Sequence, residues 1–317
     1  MNQGRYKEFI KMIRTIQNEN EHRIDELYLN ELDALRQQIA KMYENYGEDG
    51  SVSLGAVEKY GYLKSLEEAF VERIKILSRQ QETITNEAIT NTFTESYYYR
   101  GFAIEAAAAM SIFTLLSPQV ANSFVYNDLL ATKWNESIND DNNNLIKSVK
   151  NTIRTALIQG EDYKTLITNV KDRLNGGKNK ALQLVQEETH RASEDANLKV
   201  MQDAKDKGVI MKKRWLSTLD SRTRKTHQHL DGQTIEIDEY FISKSGRKAQ
   251  APKKFGDPKE DMGCRCTTIA IFEGLEPEVR RARDAQNKGE IIKYTNFKEW
   301  KQNLKLVNTS PLFISLK

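Results

Sequence analysis

Along the first hundred residues the apolar side chains return at helical intervals. Ile24, Tyr28, Leu32, Leu35, Ile39 and Met42 are separated by steps of four, four, three, four and three, which stacks them on one face of a helix. Gly47 to Gly50 interrupts this pattern. Leu63, Leu66, Phe70, Ile74 and Leu77 begin a second one, which continues through Ile84 and Ile89 to the aromatic group Tyr97 to Tyr99. Two such segments joined by a Gly-containing turn predict an antiparallel helical hairpin. Its seam reads as an ordinary core, because the flanking charges are not patterned over several heptads as in a partner-binding coiled coil.

Further along, the polar run 135–144 (NESINDDNNN) has the Asn and Asp content of turns and caps, and Ile146, Val149, Ile153 and Leu157 follow it at helical spacing. Gly160 ends that helix. Leu166, Val170 and Leu174 mark another, closed by Gly176 and Gly177, and a last long helix spans about 179–206. Beyond Gly208 the texture changes. Residues 209–211, 213–216, 234–238 and 267–272 read as short strands, separated by the turn dipeptide Asp231-Gly232 and a Gly/Lys/Pro-rich loop at 243–261. The fold class is therefore a mainly α N-terminal region of long helices followed by a small α+β C-terminal domain. The boundaries expected are 1–177, 178–274 and a tail at 275–317 that returns to helical, charged composition and docks through Trp300.

Length, 317 residues and 36.5 kDa, is room for about two domains. Five prolines and 16 glycines favour helices over an all-β sandwich, which needs more turn punctuation. Lys+Arg 48 against Asp+Glu 45 leaves +3, too even for a general nucleic-acid coat. The two cysteines, Cys264 and Cys266, are too close in sequence for an unstrained disulfide and suggest a reducing, cytoplasmic context. The first 23 residues contain no apolar h-region, so no export is expected. The apolar run 106–116 has eleven residues, short of the ~20 a bilayer requires, and reads as a buried helix. No stable membrane span is expected.

Chemistry concentrates in 214–233 (RWLSTLDSRTRKTHQHLDGQ) and 255–267 (FGDPKEDMGCRCT). His227 and His229 stand two apart, as do Cys264 and Cys266, and on extended backbone each pair would point to one side. Four such donors could hold zinc. The plainer alternative is that the cysteines are buried small hydrophobes and the histidines bond to backbone. Nearby, Asp220 and Asp231 lie beside Arg222, Arg224 and Lys225, which suggests an Arg–carboxylate network pinning a loop. The other account is a phosphate-contacting patch aided by Lys244, Arg247, Lys248, Lys253 and Lys254. Residues 178–274 hold 19 Lys and Arg against 15 Asp and Glu, a net of +4 that permits contact with duplex DNA. No Gly-rich phosphate loop, G-x-S-x-G or H-E-x-x-H motif occurs, so no catalytic residue is assigned.

These stretches also carry a resemblance. Trp215, Asp220, Arg222, Arg224, His227, Leu230, Asp231 and Gly232, followed by Cys264-Arg265-Cys266, resemble the signature of the phage head morphogenesis family of Mu F-like and SPP1 minor head proteins. Upstream, Glu188-Thr-His-Arg191-Ala192 is similar to that family's Thr-Glu-x-x-Arg-Ala helix, with Glu187 where the family has Thr. The likeness covers about 180–270. It implies a non-enzymatic minor capsid protein of the virion, assembled in the host cytoplasm, associated with the portal protein and the capsid interior, and acting in head assembly or DNA delivery. Glu188, Arg191, Trp215, Asp220, Arg222, Arg224, Asp231 and Gly232 would then form its structural network. Some members carry Cys-x-x-Cys where this chain has Arg224-Lys-Thr-His227, which supports His227, Cys264 and Cys266 as zinc ligands, with His229, Asp220, Asp231 or water as the fourth. Two other readings stand beside it: a metal-dependent nuclease or toxin domain on a helical carrier, using His227 or His229 as base, and an internal DNA-binding protein.

Overall fold

A computed structural model of the chain describes residues 3–59, 61–113, 116–125, 133–283 and 289–302. In chain order its elements are helices α1 (Gln3–Tyr46), α2 (Leu54–Lys59), α3 (Tyr62–Ala108), α4 (Pro118–Val125), α5 (Trp134–Gln159) and α6 (Tyr163–Asp206), then β1 (Lys212–Leu216), α7 (Lys225–Leu230), β2 (Thr234–Ile235), β3 (Phe241–Ile242), β4 (Lys248–Ala249), α8 (Pro258–Asp261), β5 (Thr267–Ile271), β6 (Val279–Arg283) and β7 (Gly289–Lys293). The chain divides into two compact units. One comprises 14–91 and 132–189, the other 1–13, 92–131 and 190–317. Residues 177 and 178, the expected domain limit, lie inside α6.

The first unit is a helical bundle whose interior is the predicted stripe. Ile24, Tyr28, Leu32, Leu35, Ile39 and Met42 of α1 pack with Leu63, Leu66, Phe70, Ile74 and Leu77 of α3, Leu145, Val149, Ile153 and Leu157 of α5, and Leu166, Val170 and Leu174 of α6. A core of this kind is what stabilises long helices whose propensity alone would be marginal. Polar pairs lie at its margin. Arg73 donates twice to the buried Glu31, at 2.7 and 3.0 Å, and Arg154 and Lys150 both reach buried Glu67.

Three expectations are corrected here. The run 135–144 is helical: α5 starts at Trp134, because Trp134, Ile138, Asn142 and Leu145 bury one side of it. Asn142 accepts from the Tyr28 hydroxyl at 3.4 Å and donates to Gln81 at 3.3 Å, so an apparent turn residue links three helices. Gly176 and Gly177 do not end a helix; α6 runs through them. A Cβ on Gly177 would lie 3.0 Å from Leu145 Cδ2 and 3.2 Å from Tyr28 Cε1, so that glycine serves close packing. Gly160 does end α5, in the left-handed conformation with its N–H bonded to the Ala156 carbonyl. Finally, the run 106–116 is not a buried helix. α3 stops at Ala108, Ala106, Ala107 and Met110 are exposed, and residues 114 and 115 lie outside the described residues. Among the described residues no helix is long and apolar enough to cross a membrane.

Among the described residues every strand lies in the second unit. β1 lies between β2 and β5, antiparallel to both, with Trp215 opposite Thr268 and Lys213 opposite Ile235. Residues 209–211 are not a strand; pairing starts at Lys212. Inside the expected loop, β3 and β4 form a two-stranded hairpin. The expected helical tail instead begins with the hairpin β6–β7, and its helical part is 297–302. Trp300 docks there as predicted, buried with Leu219, Ala282 and Phe297. Residues 303–317 lie outside the described residues.

Candidate functional site

Trp215, wholly buried, organises the α+β region. Its ring stands edge-on to His227 and Phe241 at 5.8 and 5.1 Å, and Leu230, Phe255, Cys264 and Cys266 complete the cluster. His227 and His229 sit on α7, not on extended backbone. Two residues of helix turn the chain about 200°, so His227 points inward and His229 is exposed. His229 is thereby separated from the cysteines. Cys264 and Cys266, on the extended approach to β5, do face one way.

The three remaining donors converge. His227 Nδ1 lies 3.5 Å from Cys264 Sγ and 3.4 Å from Cys266 Sγ, and one donor atom from each residue falls within 4.8 Å of the others, all buried. Cys264 has its thiol pKa raised, through its bond to Cys266 and through burial. Burial also raises that of Cys266, but hydrogen bonding from Cys264 and the polar groups around it outweighs it and leaves the value below that of an ordinary thiol. Behind the imidazole, His227 Nε2 is 3.0 Å from buried Glu260. Glu260 also accepts from Thr226 at 2.9 Å and Ser245 at 2.7 Å. Burial works to raise its pKa, and these hydroxyls with the imidazole bring it below the ordinary value.

A second layer holds the cysteine turn. The ring nitrogens of His190, on α6, lie 2.8 and 2.9 Å from the carbonyl oxygens of Cys264 and Cys266. Burial and then Lys253 pull the His190 pKa down to about 3, against the two carbonyls, which favour protonation. Glu194, one turn on, accepts from the Thr267 hydroxyl at 2.5 Å and the Thr268 N–H at 3.1 Å, while Arg100 approaches to 3.3 Å. Burial raises the Glu194 pKa in spite of that arginine. Asn197 donates to the Thr268 carbonyl at 2.7 Å.

The two aspartates of the motif are saturated with donors, several of them from distant parts of the chain. Asp220 accepts from the backbone N–H groups of Arg222 and Thr223 at 3.0 and 2.9 Å, from the Thr223 hydroxyl, and from both terminal nitrogens of Arg265. Asp231 accepts from the Ser217 and Phe297 N–H groups, both at 2.7 Å, and is paired with Arg280 at 2.8 Å. Arg224 spans to the carbonyls of Glu260 and Met262, and the Arg222 side chain is exposed. Gly232 takes φ +81 and returns its N–H to the Trp215 carbonyl at 2.9 Å. On α6, Arg191 pairs with Asp195 at 2.8 Å and donates to the Phe124 carbonyl, and Glu188 is buried. Of the loop cations, Lys254 pairs with Asp195 and Arg247 with Asp257 at 2.5 Å, whereas Lys244 and Lys248 are exposed. Glu260, His190, Glu194 and Arg280 were not singled out from the sequence. His190 lies inside the Glu188–Ala192 motif, and Pro258 after Asp257 is a helix-start signal that could have drawn attention to Glu260.

The family described as Phage Mu protein F like protein matches residues 147–269. Over 300 residues the chain is 27% identical to the minor head protein GP7 of Bacillus phage SPP1, covering 94% of this chain and 97% of that one. It is also 34% identical over 156 residues to the NAD(+)–arginine ADP-ribosyltransferase EFV of Enterococcus faecalis, covering 49% of this chain and 31% of that protein. An uncharacterized Haemophilus influenzae protein is 25% identical over 137 residues, with 27% of its length covered. No solved structure matches the chain. With the motif residues clustered as described, the chain is similar to the Mu F-like phage head morphogenesis proteins over residues 147–269 and to the SPP1 minor head protein nearly end to end.

Proposed function

We propose that this chain is a minor head protein of a phage virion, docked to the portal protein at the capsid interior and acting in head assembly and genome delivery by binding, without turnover. The observation that carries this reading is the alignment with the SPP1 minor head protein over nearly the full length of both chains. The site supports it: Asp220 and Asp231, the carboxylates a hydrolytic centre would draw on, already accept multiple internal hydrogen bonds. DNA contact would rest on exposed cations such as Lys225, Lys244 and Lys248, since Lys254 and Arg247 are engaged within the unit.

The test is co-expression of the full chain with the portal protein of the same genome. Co-elution in size exclusion, and particles that package DNA yet lose infectivity when the chain is deleted, are expected. Absence of any complex together with unaltered infectivity of deleted particles would overturn the reading. An enzymatic reading draws on the match to EFV, of whose length the chain spans 31%. Transfer of label from NAD to an arginine acceptor would favour it over binding alone.

A further inference from the structure

The head-protein reading gives no chemical task to the cluster of His227, Cys264 and Cys266, whose donor atoms converge whatever the chain binds. We propose that these three side chains bind one zinc(II) ion, which ties α7 to the turn preceding β5 and acts as a structural cross-link.

The distances are the first argument. Zn–S bonds of about 2.3 Å and Zn–N bonds of about 2.0–2.1 Å in a tetrahedron place sulfur and nitrogen about 3.5 Å apart. The observed Nδ1–Sγ separations are 3.5 and 3.4 Å, so both nitrogen–sulfur edges of such a tetrahedron are already in place. A thiol hydrogen bond accounts for one of these contacts only. Neutral imidazole has a single lone pair, yet Nδ1 faces two sulfurs at nearly equal range.

The second argument is orientation. Glu260 stands 3.0 Å from Nε2 and is held by Thr226 and Ser245. Off the line of a hydrogen bond but 3.0 Å away, the carboxylate favours through its charge the tautomer protonated at Nε2, whose Nδ1 lone pair then faces the sulfurs, as behind metal-bound histidines. The cysteines are held equally firmly. Cys264 donates its N–H to the Asp261 carbonyl at 3.1 Å, Gly263 takes φ +65, and both cysteine carbonyls meet His190.

The third argument is charge. Two thiolates and a neutral imidazole around a dication sum to zero, so the ion and its ligands add no net charge to a cavity walled by Trp215 and Phe255, and the adjoining Glu260 carboxylate is met by the Thr226 and Ser245 hydroxyls. This soft, sulfur-rich donor set disfavours magnesium and calcium. Among the described residues the cluster offers three protein donors, which leaves one position for water or a small anion. Catalytic zinc sites also have three protein ligands and a water, but they keep an approach for substrate; here all three ligands are buried, which favours a structural role. Binding releases the thiol protons to solvent, and no redox change is involved.

The experiment uses the full chain, purified without a polyhistidine tag or added metal. Elemental analysis should find about one zinc per chain, falling below about a tenth in Cys264→Ser and His227→Ala and unchanged in His229→Ala. Should the cysteine variant not fold, wild-type protein stripped under reducing denaturant and refolded with cobalt(II) still decides. A thiolate-to-cobalt charge-transfer band with tetrahedral visible bands is expected. Folded wild-type protein with under a tenth of a zinc and no such band would overturn the proposal. So would zinc retained undiminished in both folded Cys264→Ser and His227→Ala.

Discussion

Asp231 is the carboxylate whose removal should cost the α+β unit most. Its side chain is 1% exposed and that of Arg280 2% exposed. Arg280 donates to both carboxylate oxygens, at 2.8 and 3.1 Å, and also to the carbonyls of Ser217 and Thr295. The Ser217 and Phe297 N–H groups depend on the same carboxylate. In Asp231→Ala the guanidinium keeps two carbonyl partners, but its charge is buried without a counter-charge and two backbone donors lose their acceptor. Breaking a buried pair from one side costs about 3–5 kcal/mol. We expect about 4 kcal/mol here, because the orphaned N–H groups add to the loss while the two carbonyls relieve part of it.

Urea unfolding of the full chain, followed by tryptophan fluorescence, measures this, since Trp215 and Trp300 both lie in this unit. Arg280→Met should cost a similar amount. The double variant should cost less than the sum by at least about 2 kcal/mol, because neither partner is then left as an unpaired buried charge. A loss under about 1 kcal/mol in Asp231→Ala, or single losses that add to within about 0.5 kcal/mol, would refute the assignment.

Two adjacent glycines of α6 give a sign test. Gly176→Ala should stabilise by about 0.5–1 kcal/mol, since nothing lies within 4 Å of its added methyl; Gly177→Ala should destabilise by about 1 kcal/mol net, as the methyl meets Leu145 and Tyr28. Equal signs in thermal unfolding would show that this helical contact is misread. For Asp220, burial raises the pKa, but Arg265, Thr223 and the Arg222 N–H more than offset it and leave the value below the ordinary aspartate range. A lowered folded value means the stabilisation is complete above the unfolded pKa of about 3.9 and disappears as pH falls through the folded value. The gap in melting temperature between wild type and Asp220→Asn should therefore narrow on acidification below about pH 4, and a constant gap would contradict the pairing.

What was legible in the sequence follows from what stabilises each unit. The bundle helices bury one stripe each, so Ile24 to Met42 and Leu63 to Leu77 announce both the helix and its inward face. The same logic misplaced features whose role is tertiary: Gly177 is small because Tyr28 and Leu145 press on it, and Asn142 is polar because it bonds to Tyr28 and Gln81. The α+β unit is held differently. Beyond α6 its elements are two to six residues long, too short to display a period, which is why His227 and His229 could be read as extended when they occupy the short helix α7. Its cohesion comes from polar groups that meet across long stretches of chain: Asp231 with Arg280 and Phe297, Asp220 with Arg265, His190 with the cysteine carbonyls 74 and 76 residues away. Residue type could nominate Asp220, Asp231, His227 and the cysteines, because buried charge and thiols need partners. It could not name those partners, since an arginine's suitability for a carboxylate depends on where the backbone delivers it. In such a region the identity of the demanding residue is local information and its satisfaction is topological.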